Sequence, residues 1–357
     1  MIEFILTIIY RIFASIFSQK YITFACNFER DIYSNLSLLY SEKSGDCRYK
    51  FLFHSRKTSF SLLREIFVIS RTKILIVDCS HWLISKVFCS DKTKIIYIGH
   101  GGGCYKKMGF GKIVCCHKND LKLRKLYGQF DYVLSTSESY DNLVAKNYGI
   151  TEESILKAGL PRTDLLFIEP LINDRCIDKV ILFAPTFVET LYGRGYSSAW
   201  DFSVLDQLAY EEGYQVIFSP HPDVKDSIKL PERWLTAVGK SYLEIIRMSS
   251  ILITDRSSIM FDFSLSGKPI IIMDNDSYSN LWLRPSELKG VNIAKELLEI
   301  KQLLHNCKHL SSSKPLAEQQ MSRCQGQSVF KITKFIQKVY FDEDTIPNDG
   351  GKGNTSR

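Results

Sequence analysis

Residues 249–274 read SSILITDRSSIMFDFSLSGKPIIIMD, which is an apolar run, a short amphipathic segment and a second apolar run. The runs SILITD and KPIIIMD are rich in β-branched residues and bounded by polar ones, as is typical of buried strands. Between them, SSIMFDFSLSG places Ile259, Met260 and Phe263 on one side of a predicted helix. A strand, a helix and a strand in this order predict one parallel βαβ unit.

The same alternation continues on both sides of this unit and predicts an α/β fold with two Rossmann-like domains, each with helices on both sheet faces. A charged connection at residues 173–178 separates the two halves. The other predicted strands are KILIVDC (73–79), KIIYIG (94–99), YVLSTS (132–137), KVILFAP (179–185) and YQVIFSP (214–220). The predicted boundaries are 1–20 for an amphipathic helix, 21–172 and 173–327 for the two domains, 328–341 for a C-terminal helix and 342–357 for a disordered tail.

The N-terminal segment MIEFILTIIYRIFASIF carries a narrow polar stripe of Glu3, Thr7, Arg11 and Ser15 on a predicted helix. It is short for a membrane-spanning helix and carries two charges. The pattern therefore leaves two interpretations: the helix packs on its own domain, or it lies in a membrane surface.

Composition narrows the class of protein. Of the 357 residues, 45% are hydrophobic and 24% charged, and the net charge of +7 favours anionic partners. The chain has no nucleic-acid-binding signature, so no nucleic acid partner is expected. Ten irregularly spaced cysteines favour reduced thiols in a cytosolic compartment. The same irregularity disfavours a metal site, and neither metal nor cofactor is expected. The weak candidate for a metal site is a group of five residues, His100, Cys104, Cys115, Cys116 and His117.

Polar residues follow four of the predicted strands, at the carboxyl ends where doubly wound sheets bind their ligands. His100 follows KIIYIG, and Thr186 lies in APTF after VILF. His221 lies in SPHPD after QVIF, and residues 254–258, TDRSS, follow ILI. Four polar clusters in the same topological position predict one ligand site.

The TDRSS segment begins a predicted helix, whose first-turn amides suit phosphate oxygens. Ser257 and Ser258 add hydroxyl donors, and the alternative is a plain N-cap by Asp255 or Ser257. Asp262, one turn further, either reaches a sugar hydroxyl or is solvated. Two prolines hold His221 on a stiff loop, which favours a ligand contact over a structural corner.

His100 is followed by the glycines Gly101 and Gly102, a third glycine, and then Lys106 and Lys107. Successive glycines indicate that something approaches the backbone closely. The two lysines either attract an anionic group or are simply solvated.

Several of these pieces together resemble the CDP-glycerol glycerophosphotransferase family, which includes primases and polymerases of teichoic acid synthesis. They are HG with following lysines, GLPRTDLLF (159–167), APTF, HP and TDRSSIMFDFSLSGKPII. The resemblance implies a GT-B architecture, in which an N-terminal acceptor domain and a C-terminal CDP-donor domain face each other across a cleft. It implies transfer of glycerol phosphate from CDP-glycerol to a hydroxyl of a lipid-linked saccharide or polymer acceptor, with release of CMP. It also implies a cytoplasmic enzyme held peripherally on the anionic inner face of the cell membrane.

The resemblance also assigns roles to residues. His100 corresponds to the HG motif as general base, and His221 to the HP motif that contacts the donor pyrophosphate. Ser257 and Ser258 would hold the donor phosphates, with Thr186 and Asp262 on the donor side. Arg256 stands where the family usually has an aromatic residue, and its guanidinium strengthens a phosphate site.

Three alternatives remain open at this point. In the first alternative, the donor is CDP-ribitol rather than CDP-glycerol. In the second, the donor is a CMP-activated sugar and the chain is a GT-B glycosyltransferase. In the third alternative, the chain is a catalytically silent module that binds nucleotide or polymer.

Overall fold

The structure, a computed structural model, describes residues 2–26, 34–43, 45–53, 59–79, 81, 83–87, 89, 92–99, 101–112, 124–168, 179–190, 193–221, 224, 229–274 and 281–342. The predicted disordered tail therefore lies outside the described residues, except for Asp342. Within the described part, the chain forms two parallel six-stranded sheets with helices packed on both. We call the parts built on these sheets the N-terminal and C-terminal lobes.

The sheet of the N-terminal lobe has the strand order β2-β1-β3-β4-β5-β6, and all its pairings are parallel. Its strands are β1 (Tyr21–Cys26), β2 (Arg48–Phe53), β3 (Thr72–Val77), β4 (Lys94–Tyr97), β5 (Tyr132–Ser135) and β6 (Ile155–Lys157). Its helices are α1 (Ile2–Ile16), α2 (Asn35–Ser41), α3 (Ser59–Ser70) and α4 (Asp141–Tyr148). Buried aliphatic residues on both faces of β3 and β4 make this sheet the centre of the lobe.

The sheet of the C-terminal lobe has the order β11-β10-β7-β12-β13-β14 and is also parallel throughout. Its strands are β7 (Val180–Ala184), β10 (Gln215–Phe218), β11 (Leu235–Thr236), β12 (Ile251–Thr254), β13 (Ile270–Met273) and β14 (Asn292–Ala294), and an antiparallel hairpin is formed by β8 (Phe187–Thr190) and β9 (Gly193–Tyr196). Its helices are α5 (Phe202–Glu211), α6 (Tyr242–Met248), α7 (Ile259–Ser264), α8 (Leu297–His305) and α9 (Lys314–Gln320). The predicted βαβ unit is present as β12, α7 and β13.

The C-terminal helix α10 (Ser328–Phe341) packs on the sheet of the N-terminal lobe rather than on the lobe that precedes it in sequence. Ile332 and Ile336 lie against Ile22 and Ile74 in one buried cluster. The chain therefore crosses between the lobes twice, once before β7 and once between α9 and α10.

The N-terminal helix α1 is apolar on two sides. Leu6 and Tyr10 are buried against α3, which is the packed arrangement that the sequence allowed. Glu3 pairs with Lys86 at 2.8 Å, so part of the polar stripe faces protein. The opposite side exposes the large apolar residues Phe4, Ile5, Ile8, Ile12 and Ile16. No helix of the described ranges is long and apolar enough to cross a bilayer.

The two lobes share a continuous apolar core beside the cleft. Tyr105 and Leu160 of the N-terminal lobe pack in the same buried cluster as Met260 and Phe261 of α7. Lys106 also forms an antiparallel bridge with Leu281 of the C-terminal lobe. These contacts fix the distance between the carboxyl ends of the two sheets, which is where the predicted ligand site lies.

Candidate active site

A cavity of about 210 Å³ lies between the lobes, lined by residues that follow β4, β5, β10 and β12. Of the residues predicted from sequence, its walls contain Gly101, Gly102, Lys106, His221, Arg256, Ser257 and Ser258. His100 lies outside the described residues, but its sequence neighbours Gly99 and Gly101 both line the cavity. The cavity therefore brings together three of the four predicted segments, those that follow β4, β10 and β12. Its fourth lining segment, which follows β5, was not among the predicted ones, and the described segment after β7 does not line the cavity.

His221 is positioned by the β8–β9 hairpin. Its backbone amide donates a hydrogen bond of 2.9 Å to the Tyr196 hydroxyl. The Phe187 ring lies 4.5 Å from the imidazole, measured between ring centroids and tilted by 58°. Neither aromatic residue was singled out from the sequence as a partner of His221. Because the contacts come from a hairpin inserted after β7, only the folded chain reveals them.

Asp255 is the residue that holds two of the predicted motifs together. Its carboxylate, almost fully buried, accepts hydrogen bonds from the amides of Thr186 and Arg256. It does not serve as the N-cap, because α7 begins with Ser258 in that position. The Ser258 side chain makes no capping bond, so its hydroxyl stays at the cavity wall.

The three glycines after His100 form close contacts with protein on three sides. A Cβ on Gly101 would stand 3.1 Å from Ser258, and one on Gly102 would stand 2.3 Å from the Met321 sulfur. Gly103 has a φ of +72°, and a Cβ there would stand 2.8 Å from ring carbons of Phe261. The close approach predicted from the glycines is therefore an approach of the two lobes, with the Gly101 backbone against Ser258 inside the cavity.

Three predicted site residues do not line the cavity. Thr186 takes part through its amide, which bonds to Asp255 at 2.8 Å. The Lys107 ammonium lies 5.6 Å from the centre of the Trp282 ring. Asp262 is completely buried and forms an ion pair with Arg162, so this carboxylate is oriented toward the GLPR segment rather than toward a ligand.

Arg162 links the predicted motifs through a buried network that the sequence did not reveal. Its amide donates to the Asn35 side-chain oxygen at 3.1 Å, and the Asn35 amide nitrogen donates to the Gly99 carbonyl at 3.2 Å. The loop around His100 is thus connected through Asn35 and Arg162 to Asp262 on α7. The GxPRxD motif by itself does not predict this role. The role is evident only in the folded structure, where the arginine of the motif pairs with a residue of the other lobe.

The electrostatics of the cavity suit an anion. No carboxylate occurs among its described lining residues, whereas Lys106 and Arg256 supply positive charge. Burial raises the pKa of the Cys104 thiol to about 12, so this lining residue is neutral. Within the described ranges, no three His, Cys, Asp or Glu side chains gather as metal ligands. Of the five residues that formed the weak metal candidate in the sequence, those ranges include only Cys104. Cations with serine hydroxyls and no acidic group are a typical phosphate environment.

Sequence comparison identifies the family. A profile of CDP-glycerol:poly(glycerophosphate) glycerophosphotransferases matches residues 9–284. This range includes the described cavity-lining residues of both lobes except Gln320. The chain belongs to this family. As a family member it is a glycerophosphotransferase, and its two parallel sheets facing a shared cleft form the GT-B architecture predicted from the motifs.

Individual relatives agree with this assignment. The family member is 28% identical to a teichoic acid glycerol-phosphate primase of Bacillus subtilis, over 70% of this chain and 69% of the primase. It is 27% identical to a teichoic acid poly(ribitol-phosphate) polymerase of Bacillus spizizenii, over 71% of this chain and 45% of the polymerase. Its fold matches the solved wall teichoic acid polymerase TagF with a TM-score of 0.74, at 17% identity and covering 94% of both chains.

Proposed function

We propose that this enzyme transfers glycerol phosphate from CDP-glycerol to a hydroxyl group of a cell-surface glycan or polymer acceptor and releases CMP. The observation that carries the proposal is the cavity in which His221, Arg256, Ser257 and Ser258 face the glycine loop across the cleft. Membership of a glycerophosphotransferase family supports the donor class, and a teichoic acid primase among the relatives supports the acceptor class.

In the proposed reaction, the acceptor hydroxyl oxygen attacks the phosphorus that carries glycerol. A new oxygen–phosphorus bond forms, the bond from that phosphorus to the bridging oxygen breaks, and CMP departs with the bridging oxygen. His100 takes the proton of the attacking hydroxyl as general base. Fixed cations and donors act most strongly where charge develops, so the C-terminal wall of the cavity stabilises the negative charge that develops on the bridging oxygen as CMP departs.

The individual roles follow from chemistry and placement. His221 and Arg256 contact the donor phosphates, and Ser257 and Ser258 donate hydroxyl hydrogen bonds to them. Lys106, on the facing loop, contributes positive charge from the acceptor side. Thr186 and Asp262 act indirectly, because the first orients the loop beside Asp255 and the second holds Arg162.

The test measures CMP release from CDP-glycerol, CDP-ribitol and CMP-sialic acid, with mass spectrometry of the acceptor product. We expect CDP-glycerol to be used best, and His100→Ala or His221→Ala to lower the rate by roughly a hundredfold or more. Preference for CDP-ribitol would move the assignment to ribitol phosphate transfer, the activity named for one relative. Near-normal turnover by His100→Ala would exclude the base assignment. Nucleotide binding without turnover of any donor would favour the silent module.

The exposed side of α1 supports a peripheral position on an anionic membrane surface. Phe4 and Ile16 are 70% and 66% exposed, and on the neighbouring helix α3 Phe60 is 79% exposed beside the exposed Arg64. An apolar helix face with nearby basic residues is typical of helices that lie in the headgroup region. The test is flotation with vesicles containing phosphatidylglycerol. Ile8→Asp together with Ile12→Asp should abolish co-flotation, and unchanged co-flotation would contradict this placement.

A further inference from the structure

The wall of the cavity is chemically uneven. Its charged side chains are Lys106 and Arg256, and they and His221 are all partly exposed. The cavity-lining residues that follow β5 and those of α4 form a part of the wall whose described residues carry no charge, and we call this part the neutral end. Burial also raises the pKa values of Tyr97 and Tyr148 in the cavity wall, so their phenols stay neutral. A charged fragment of a ligand is favoured beside Arg256, and an uncharged fragment is favoured at the neutral end.

Gln320 provides a fixed polar group at the neutral end. It is fully buried at the end of α9, and its side-chain oxygen accepts the Cys104 amide at 2.8 Å. Its backbone oxygen accepts the Thr136 hydroxyl at 2.9 Å. Because a backbone amide only donates, the contact with Cys104 fixes which side-chain atom of Gln320 is oxygen. The Nε2 group must therefore point away from Cys104 as a donor.

That Nε2 group is buried and has no hydrogen-bond partner at normal distance among the described residues. Its polar neighbour in the cavity wall is Tyr140. Burial raises the pKa of this phenol, while side-chain interactions with Gln319 and Gln320 oppose the rise. A buried donor without a partner is costly, so a ligand that accepts a hydrogen bond is favoured there. Tyr140 can both donate and accept, which suits a hydroxyl group.

From this geometry we infer that the neutral end binds the uncharged, hydroxylated terminal unit of the acceptor, a polyol or sugar, with Gln320 and Tyr140 as its specificity-determining contacts. The inference rests on the proposed function. Arg256 and the serine hydroxyls of the C-terminal wall suit the donor phosphates. The phosphates take the cationic C-terminal wall, which leaves the N-terminal end for the group that attacks them.

The test compares two Gln→Glu variants, one in the cavity wall and one at the surface. Gln320→Glu keeps an oxygen for the Cys104 amide and replaces the donor group. Gln302→Glu is the matched control, because Gln302 is exposed on α8 and does not line the cavity. Initial rates are measured with soluble acceptors ending in glycerol phosphate or in an N-acetylhexosamine. Calorimetry gives the Kd of CDP-glycerol for each variant.

We expect Gln320→Glu to raise the KM of the preferred acceptor about tenfold, as for one lost hydrogen bond, with the Kd of CDP-glycerol within about twofold of the wild type. Gln302→Glu should leave both constants unchanged. A rise in the Kd of CDP-glycerol would assign the neutral end to the donor, and an unchanged acceptor KM would exclude Gln320 as a contact. Either result overturns the inference.

A failure of the proposed function is distinguishable from these results. If the wild type turns over no CDP-glycerol, direct binding of the same acceptors is measured by saturation-transfer NMR. Acceptor binding that is lost in Gln320→Glu and kept in Gln302→Glu would support the acceptor site at the neutral end even then. Equal binding to both variants would overturn it.

Discussion

Arg162 and Asp262 form a buried ion pair that joins the two lobes directly behind the candidate active site. Asp262 is fully enclosed, and Arg162 also lies over the Tyr242 ring at 5.3 Å. Burial raises the pKa of Asp262, and the guanidinium opposes that rise. Since the Arg162 amide is tied through Asn35 to Gly99, this pair fixes the loop of His100 relative to α7.

Removing one member of this pair should therefore lower both the stability of the fold and the rate of the transfer reaction. A buried charge left without its partner typically costs about 3–5 kcal/mol, so Arg162→Met should lower the free energy of unfolding by about that amount. Urea denaturation provides the measurement. The double variant Arg162→Met with Asp262→Leu is the control, because it removes both charges. Equal destabilisation by the single and double variants would show that pairing is unimportant.

The glycine loop makes a second, separable prediction. Gly103→Ala adds a Cβ that meets the Phe261 ring and stands at a left-handed φ of +72°, so it should destabilise the protein by about 2 kcal/mol or more. Gly239 is the matched control, because its φ is +81° but nothing lies within 4 Å of a Cβ there. Gly239→Ala should show only backbone strain, about 1 kcal/mol. Equal losses in thermal or urea unfolding would contradict crowding at the lobe contact.

The fold was predictable where the local pattern was strong. The unit β12–α7–β13 follows from residues 249–274 because its strands are wholly buried and, apart from Thr254, apolar. The edge strand β2 alternates between exposed and buried residues, and β14 has only three residues. Such short or half-exposed strands give little signal by themselves, and their pairing depends on the neighbouring strand.

The site was predictable to the extent that topology alone determines it. Parallel strands end at one edge of their sheet, so His221 and Ser258, which follow β10 and β12, were expected close together. Their approach to the loop after β4, which belongs to the other sheet, was expected from the two-domain cleft that the family resemblance implies, and the structure places all three on one cavity. The orientation of individual side chains was not predictable. Asp262 was expected either to reach a sugar hydroxyl or to be solvated, but it is buried and its face of α7 is turned toward Arg162, which is 100 residues away in sequence. Gln320 gave no local signal, because its contacts with Cys104 and Thr136 span 216 and 184 residues of sequence.

The Tyr196 hydroxyl should matter for catalysis more than for stability. Tyr196→Phe removes the acceptor of the His221 amide while keeping the ring, so the loop that carries the imidazole loses one fixed contact. We expect kcat to fall about tenfold, with urea unfolding changed by only about 1 kcal/mol. The control is Tyr210→Phe, since Tyr210 is 64% exposed on α5 and lies outside the cavity wall. Unchanged kcat in Tyr196→Phe would show that the hairpin does not position His221.

Asp141 and Arg323 make a second contact between distant parts of the chain, and this one should respond to pH. The two terminal guanidinium nitrogens of Arg323 donate hydrogen bonds to the Asp141 carboxylate, at 2.6 and 2.7 Å. These bonds hold the segment after α9 on α4. Burial acts to raise the pKa of Asp141, but hydrogen bonds from Arg323 and Ser135 outweigh it and leave the pKa lowered.

A carboxyl whose pKa is lowered in the folded state adds stability above its unfolded pKa, and this stability is lost as pH falls through the folded pKa. Asp141→Asn should therefore destabilise the protein by about 1–2 kcal/mol at pH 7. The difference should shrink as pH falls below about 4, because the wild-type carboxyl is then protonated as well. Urea unfolding of both proteins from pH 7 to pH 3 measures this convergence, with Asp206→Asn as the control for a more exposed ion pair with Arg233. A difference between wild type and Asp141→Asn that stays constant over this range would mean that the Asp141 charge contributes nothing to holding the segment.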